Sequence, residues 1–107
     1  MNKPLWQPSQ KLKQESILQD FCHYINFKSP GNFKELWQWS VKNPEEFWSK
    51  FWDYSKIIGD KGSVIIQKDK VFKKTKFFPD SKLNYAENIL KKKSNDIAIN
   101  FLSEKGF

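Results

Sequence analysis

Cys22 and His23 are the two side chains from which this sequence could build a nucleophile and its general base. They are adjacent, and neighbours on a helix project about 100° apart. A working pair needs mutual hydrogen-bond geometry, so these two read as structural residues. Metal capture needs three or four ligands at suitable spacing, which one cysteine and one histidine do not supply. A phosphate loop needs clustered glycines, whereas the four glycines stand apart at 31, 59, 62 and 106. The carboxylates are scattered, with no spacing that argues for paired acid–base work. No catalytic, cofactor-binding or metal-binding residue is assigned.

Two enrichments remain. The stretch from residue 36 to residue 55 holds Trp37, Trp39, Trp48 and Trp52. On a helix, Phe47, Trp48, Phe51 and Trp52 form one stripe, with Glu45, Glu46, Lys50 and Asp53 elsewhere on the circumference. A stripe backed by charges is a packing face. Binders of single-stranded nucleic acid set their aromatics in a basic groove, and this helix is acidic. Trp37, Trp39, Phe47, Trp48, Phe51 and Trp52 are therefore expected to hold structure together. As a core aromatic, Trp48 would cost ~3–5 kcal/mol on truncation to alanine.

Lysine is the second enrichment. All 19 basic residues are lysine. Residues 1–60 carry eight lysines against seven acids, and residues 61–107 carry eleven against five. The excess lies in the runs 68–76 and 91–93. Nucleic-acid readers favour arginine, whose planar fork fits phosphate and guanine, so no nucleic acid is expected as a partner. The alternative is a free-standing lysine-rich module for an anionic partner such as nucleic acid. It would use Lys68, Lys70, Lys73, Lys74 and Lys76 beside Phe72 and Phe77.

The elements that carry these residues fit one domain at most, given 107 residues. Aromatics are 17% of the chain and must carry much of its burial. A single cysteine excludes an intrachain disulfide. No apolar run approaches the ~18–20 residues of a membrane span, and the first residues lack the apolar stretch of a signal peptide. A cytoplasmic chain with no membrane partner is expected.

Ser9 caps a helical pattern whose apolar face is Ile17, Leu18, Phe21, Tyr24 and Ile25. Pro30 and Gly31 break it. Asn32 and Glu35 form a capping box ahead of the next helix. Asn43, Pro44 and Glu46 repeat that signal for a helix over Pro44 to Tyr54. A short strand is expected over Val64–Ile66, and residues 69–82 read as extended or irregular, with Pro79 preventing a long regular element. Asn84 and Glu87 start a last helix, with Lys91, Lys92 and Lys93 complementing its dipole. Ile97, Ile99 and Phe101 alternate as in a strand that ends just before Gly106 and Phe107. The fold class is α+β, mostly α, with one or two short strands.

Three stretches in this order, "WQPS" (6–9), "WSVKNPEEFWSKFWDYS" (39–55) and "FFPDSKLNYAENIL" (77–90), resemble the N-terminal region of acetoacetyl-CoA synthetases. These are AMP-forming acid–CoA ligases of the acetyl-CoA synthetase-like family. The family tends to have Trp-Phe-Pro-Gly where this chain has Phe77-Phe78-Pro79-Asp80. The resemblance implies residues 1–94 as the N-terminal helical domain of that type. Residues 95–107 would begin the AMP-binding domain with its first strand. It implies a structural role for this chain, with the rest of the adenylate-forming domain as partner. ATP, Mg and CoA would belong to the parent enzyme, whose phosphate loop and catalytic lysine have no counterpart in these 107 residues.

Overall fold

A computed structural model describes residues 3–105. Five helices and four two-residue strands follow one another along the chain. They are α1 (Gln10–Gln14), α2 (Ile17–Tyr24), α3 (Phe33–Lys42), α4 (Pro44–Tyr54), β1 (Gly59–Asp60), β2 (Ile66–Gln67), β3 (Lys76–Phe77), β4 (Lys82–Leu83) and α5 (Tyr85–Ile89). The class is α+β and mostly α, as the sequence pattern implies.

The helix expected from Ser9 onward is two helices. Ser9 caps the first, accepting from the Leu12 N–H at 3.3 Å. Ser16 then interrupts the ladder. Its hydroxyl donates to the Lys13 carbonyl at 2.8 Å and accepts from the Gln19 N–H at 3.2 Å. One serine closes α1 and opens α2, the local competition with helix that its short side chain permits.

Asn32 caps α3 through the Glu35 N–H at 3.2 Å, and Asn84 caps α5 through the Glu87 N–H at 3.1 Å. The box expected at Asn43 and Glu46 does not form. Asn43 makes no side-chain cap on α4. Its amide instead donates backward to the Trp39 carbonyl at 3.1 Å, closing the end of α3. Glu46 turns to Lys50, 2.7 Å away. With Pro44 at the first helical position one backbone donor is already missing, so α4 starts without the cap.

Beyond α4 the chain makes a nested excursion. β1 pairs antiparallel with β4, Gly59 opposite Leu83, and inside it β2 pairs with β3, Ile66 opposite Phe77. The inner strand begins at Ile66, later than the sequence suggests, because pairing with Lys76 and Phe77 sets its register. Gly59 faces Leu83 at close range in the outer pair. A Cβ there would sit 2.7 Å from both the Leu83 Cβ and the Lys82 carbonyl oxygen, at φ +153°. Phe78, by contrast, adopts φ +47° with a bulky side chain, a conformation that costs about 1–3 kcal/mol. Its N–H donates to the Ile65 carbonyl at 2.7 Å, and its ring lies 4.9 Å from that of Trp52. Asp80, in the place of the family's usual glycine, has no positive φ, so the turn forms without one.

Residues 97–101 form no strand. Ile97, Ile99 and Phe101 are exposed, and no described strand lies beside them to supply ladder partners. Residues 106 and 107 lie outside the described part. The turn expected at 94–96 is present, with the Asp96 carboxylate accepting from Lys92 and from the Ser94 hydroxyl.

Candidate functional site

The aromatic stripe on α4 is organised by a ring from another helix. Phe21, on α2, is only 4% exposed. It meets Phe47, Phe51 and Tyr54 edge-to-face, at centroid distances of 6.0, 5.9 and 5.1 Å. Such contacts add about 0.5–1.5 kcal/mol each beyond area burial. The Tyr54 hydroxyl donates to the Asp20 carboxylate at 2.8 Å. That bond, with burial and the carboxylate's charge behind it, pushes the phenol above its ordinary pKa.

From this centre the rings run outward. Phe47 and Phe51 stack at 6.0 Å, nearly parallel. Trp39 leans on Phe47 and Phe27, with the Lys50 ammonium 5.7 Å over its ring. Trp48 meets Phe77 at 5.5 Å, and Trp52 meets Phe78, so α4 holds α2 and α3 on one side and the nested strands on another. Trp39, Phe47 and Trp52 are half-buried. Trp48 is 36% exposed and Phe51 is 41% exposed. Trp37 is more exposed still and meets no other ring among the described residues. The stripe is thus one strongly contacted row with an open rim, rather than a closed core. Among the described residues the buried positions are Phe21, Cys22, Leu36 and Ile66.

Polar clamps complete the frame. The Lys61 ammonium donates to both carboxylate oxygens of Asp53, at 2.8 and 2.9 Å, and to the Ser49 hydroxyl at 3.0 Å. Asn88 acts like a strand partner for Ile58. Its carbonyl accepts from the Ile58 N–H at 2.8 Å, and its amide donates to the Ile58 carbonyl at 2.9 Å. Lys91 donates to the carbonyls of Ser55 and Lys56. The lysine run expected to complement α5 therefore sends its first member to the negative end of α4. α5 has already ended at Ile89.

Phe21 had a sequence signal, since it lies on the apolar face of its helix. Asn88 and Lys61 had none, because their partners come from a different turn of the chain. Asn84 and Glu87 sit at the start of α5, where Asn84 supplies the cap and Glu87 the capped N–H.

Cys22 and His23 do not work together. Cys22 is buried, and desolvation pushes its thiol up despite a hydrogen bond with the Gly31 backbone. His23 is exposed, with its ring nitrogen 3.5 Å from the Gln19 amide. Among the described residues no three His, Cys, Asp or Glu side chains could hold a metal ion together. No described helix is long and apolar enough to cross a membrane.

The open rim is large. The accessible surface is 9931 Å², against about 6,300 Å² for a compact monomer of this mass. The radius of gyration is 19.0 Å, against about 13 Å. Leu5, Trp6, Ile17, Phe33, Ile89 and Leu90 are among the exposed apolar side chains.

Comparison with known proteins gives this surface a setting. The family described as "Acetyl-coenzyme A synthetase N-terminus" matches residues 33–89. An acetoacetyl-CoA synthetase of Xenopus tropicalis is 39% identical over 101 residues, covering 88% of this chain and 14% of that protein. One from Gallus gallus is 36% identical over 78 residues, covering 71% and 12%. The acetoacetyl-coenzyme A synthetase of Rhizobium meliloti (strain 1021) is 29% identical over 106 residues, covering 95% and 16%. No solved structure matches at a significant level. The chain spans 12–16% of the length of these relatives. It belongs to the acetyl-coenzyme A synthetase N-terminus family.

Proposed function

We propose, with membership of that family as the premise, that this chain is the helical front piece of an ATP-dependent acid–CoA ligase whose acid is acetoacetate. In such an enzyme the acid attacks ATP, releasing pyrophosphate and forming an acyl-adenylate. The CoA thiol then displaces AMP. ATP, Mg and CoA act on parts of the enzyme beyond these residues, and no described residue is given a catalytic step. The role of this chain is structural. Phe21 and the α4 rings bind the helices to one another, and the exposed apolar rim lies against the remainder of the adenylate-forming domain.

The observation that carries the reading is the surplus surface. The surplus of about 3,600 Å² on this chain alone exceeds the roughly 1,000–2,500 Å² that each partner buries in an obligate interface. That surplus is polar and apolar surface together, and the exposed large apolar side chains within it, Leu5, Trp6, Phe33, Ile89 and Leu90 among them, mark a surface built to be covered. The alternating segment Ile97–Phe101, exposed and without a neighbouring strand, fits the same reading. Residues 1–94 would be the helical domain, and residues 95–107 would add a strand to a sheet supplied by the partner. Pairing with that sheet would satisfy a backbone ladder that has no partner here.

A chimera tests this. The matching front piece of the Xenopus tropicalis acetoacetyl-CoA synthetase is replaced with this chain, and thioester formation from acetoacetate, ATP and CoA is measured. Deleting the front piece should abolish activity, and the chimera should restore it. Full activity of the deleted enzyme would refute the structural role. A chimera that folds but makes no thioester from acetoacetate would refute the assignment of this chain as the front piece of such an enzyme.

A further inference from the structure

The inner hairpin, residues 66–77, ends in a tip that packing does not explain. Phe72 opens a single 3-10 turn, Phe72–Lys74, and is 83% exposed. Val71 beside it is 45% exposed. The other rings nearby are engaged, Phe77 with Trp48 at 5.5 Å and Phe78 with Trp52 at 4.9 Å. Phe72 meets no ring among the described residues.

Lysines collar this apolar tip on both strands. Lys68 and Lys70 lead into it, Lys73, Lys74 and Lys76 lead out of it, and all five are exposed. The ion pairs among the described residues engage Lys11, Lys50, Lys61 and Lys92, and none of the five. Three carboxylates lie in this region. Asp69 spends one oxygen on the Val71 N–H, at 2.8 Å. Glu45 and Glu46 line a groove that reaches Lys68 but no residue from 69 to 77, and Glu46 is held by Lys50. The acidic flank therefore stops short of the tip.

The backbone of the tip is paired within itself. The Lys74 N–H donates to the Val71 carbonyl and the Thr75 N–H to the Phe72 carbonyl, both at 2.9 Å. The Asp69 N–H donates to the Thr75 hydroxyl at 3.2 Å. Unpaired peptide groups are what make irregular backbone costly to move into an apolar medium, and these groups already have partners.

We propose that this tip docks the chain on the surface of a bilayer rich in anionic lipid. Phe72 and Val71 enter the boundary between headgroups and acyl chains, while Lys70, Lys73 and Lys74 lie at the level of the headgroup anions. Lysine stems run along apolar surface and keep the ammonium in the polar layer. Attraction to a charged surface asks for point charges, so a chain without arginine meets the need. An acidic protein segment would answer the lysines but leave the protruding ring in water. The lack of a membrane-spanning helix among the described residues does not bear on a surface contact, which needs no span. One ring and a few charges make a reversible, salt-sensitive attachment. The tip uses residues that the front-piece reading does not use, and it stands or falls separately from it.

Sedimentation of the full chain with lipid vesicles tests the proposal, at low and physiological salt. One vesicle is phosphatidylcholine alone, and the other contains about a third phosphatidylserine. Binding to the anionic vesicle should be at least about tenfold tighter and should weaken as salt screens the lysines. The pair Lys73→Glu, Lys74→Glu should weaken it about tenfold or more. Phe72→Ala should weaken it about fivefold. Trp6→Ala and Phe33→Ala, on the exposed rim away from the hairpin, should leave it unchanged, with circular dichroism preserved in every variant. Equal binding to both vesicles, or a loss in the rim variants, would assign the contact to the rim and overturn the proposal. Unchanged affinity in Phe72→Ala would remove the inserted ring. Release by oligoglutamate at a charge concentration where simple salt releases nothing would replace the bilayer with an acidic peptide. No binding to either vesicle would remove the site.

Discussion

The α2–α4 seam and the nested strands from Gly59 to Leu83 are joined in one molecule by different physics. In the seam, rings fill the contacts and the Tyr54 hydroxyl, 2.8 Å from the Asp20 carboxylate and 3.4 Å from the Ile17 carbonyl, fixes the pitch of one helix on the other. In the nested strands the backbone ladder, Asn88 and the Lys61–Asp53 clamp hold the shape, while Lys68, Lys70, Lys73, Lys74, Lys76 and Lys82 form no ion pair among the described residues. Apolar contact is non-directional and scales with area, so the seam can store stability. Hydrogen bonds and exposed ion pairs add less but fix geometry. The hairpin is thereby shaped without being covered, which leaves its side chains available to a partner.

The comparison breaks if stability does not follow this division. Phe21→Ala should have the largest effect, about 3–5 kcal/mol, read as the urea midpoint of unfolding. If it proves no worse than a hairpin substitution, the seam does not store the stability. Trp48→Ala should follow at about 2–3 kcal/mol, because its exposed third forfeits part of the full value for a core aromatic. A loss of 5 kcal/mol would mean that Trp48 is the true centre. Asn88→Ala should cost about 0.5–1.5 kcal/mol and speed hydrogen exchange at the Ile58 amide. An unchanged exchange rate there would mean that the ladder holds without it.

The smallest effect is a pH dependence. The Tyr54 phenol is raised in the folded state by its bond to Asp20. A raised group contributes stability fully below its unfolded pKa, about 10, and loses it as pH climbs through the folded value. The wild-type chain should therefore weaken faster than Tyr54→Phe between neutral pH and strongly alkaline solution. Parallel unfolding midpoints for the two across that range would show that the hydroxyl does not couple the helices.

These two regions also differ in how far the sequence could be read. The helices of the seam announce themselves by periodicity and by Asn32, Pro44 and Asn84. Their ends were misread where one residue could serve two masters. Ser16 splits a continuous apolar face, and Asn43 closes the helix behind it instead of opening the one ahead. The stripe on α4 was visible, but its exposure was not, since burial depends on what lies across from it. The nested pairing was almost illegible. Two-residue strands leave no alternation to detect, and the clamps at Ile58 and Asp53 join residues far apart in sequence. Ile97 to Phe101 shows the opposite error. Its alternation is strong, yet a strand exists only where another backbone accepts its hydrogen bonds.

The nesting of β2–β3 inside β1–β4 bears on the order of events as the chain folds. Closing the outer pair directly would tie off a loop of roughly twenty residues. Once the inner pair has zipped, only about half of that length remains free, which lowers the closure cost by about 0.6 kcal/mol. The inner turn carrying Phe72 and the lysines should therefore be an early structure, with the outer strands and α5 as followers. Pulsed hydrogen exchange would then find the Phe78 amide, which bonds Ile65, protected ahead of the Ile58 amide that waits for Asn88. The charged tip would gain its form before the part of the molecule that anchors it.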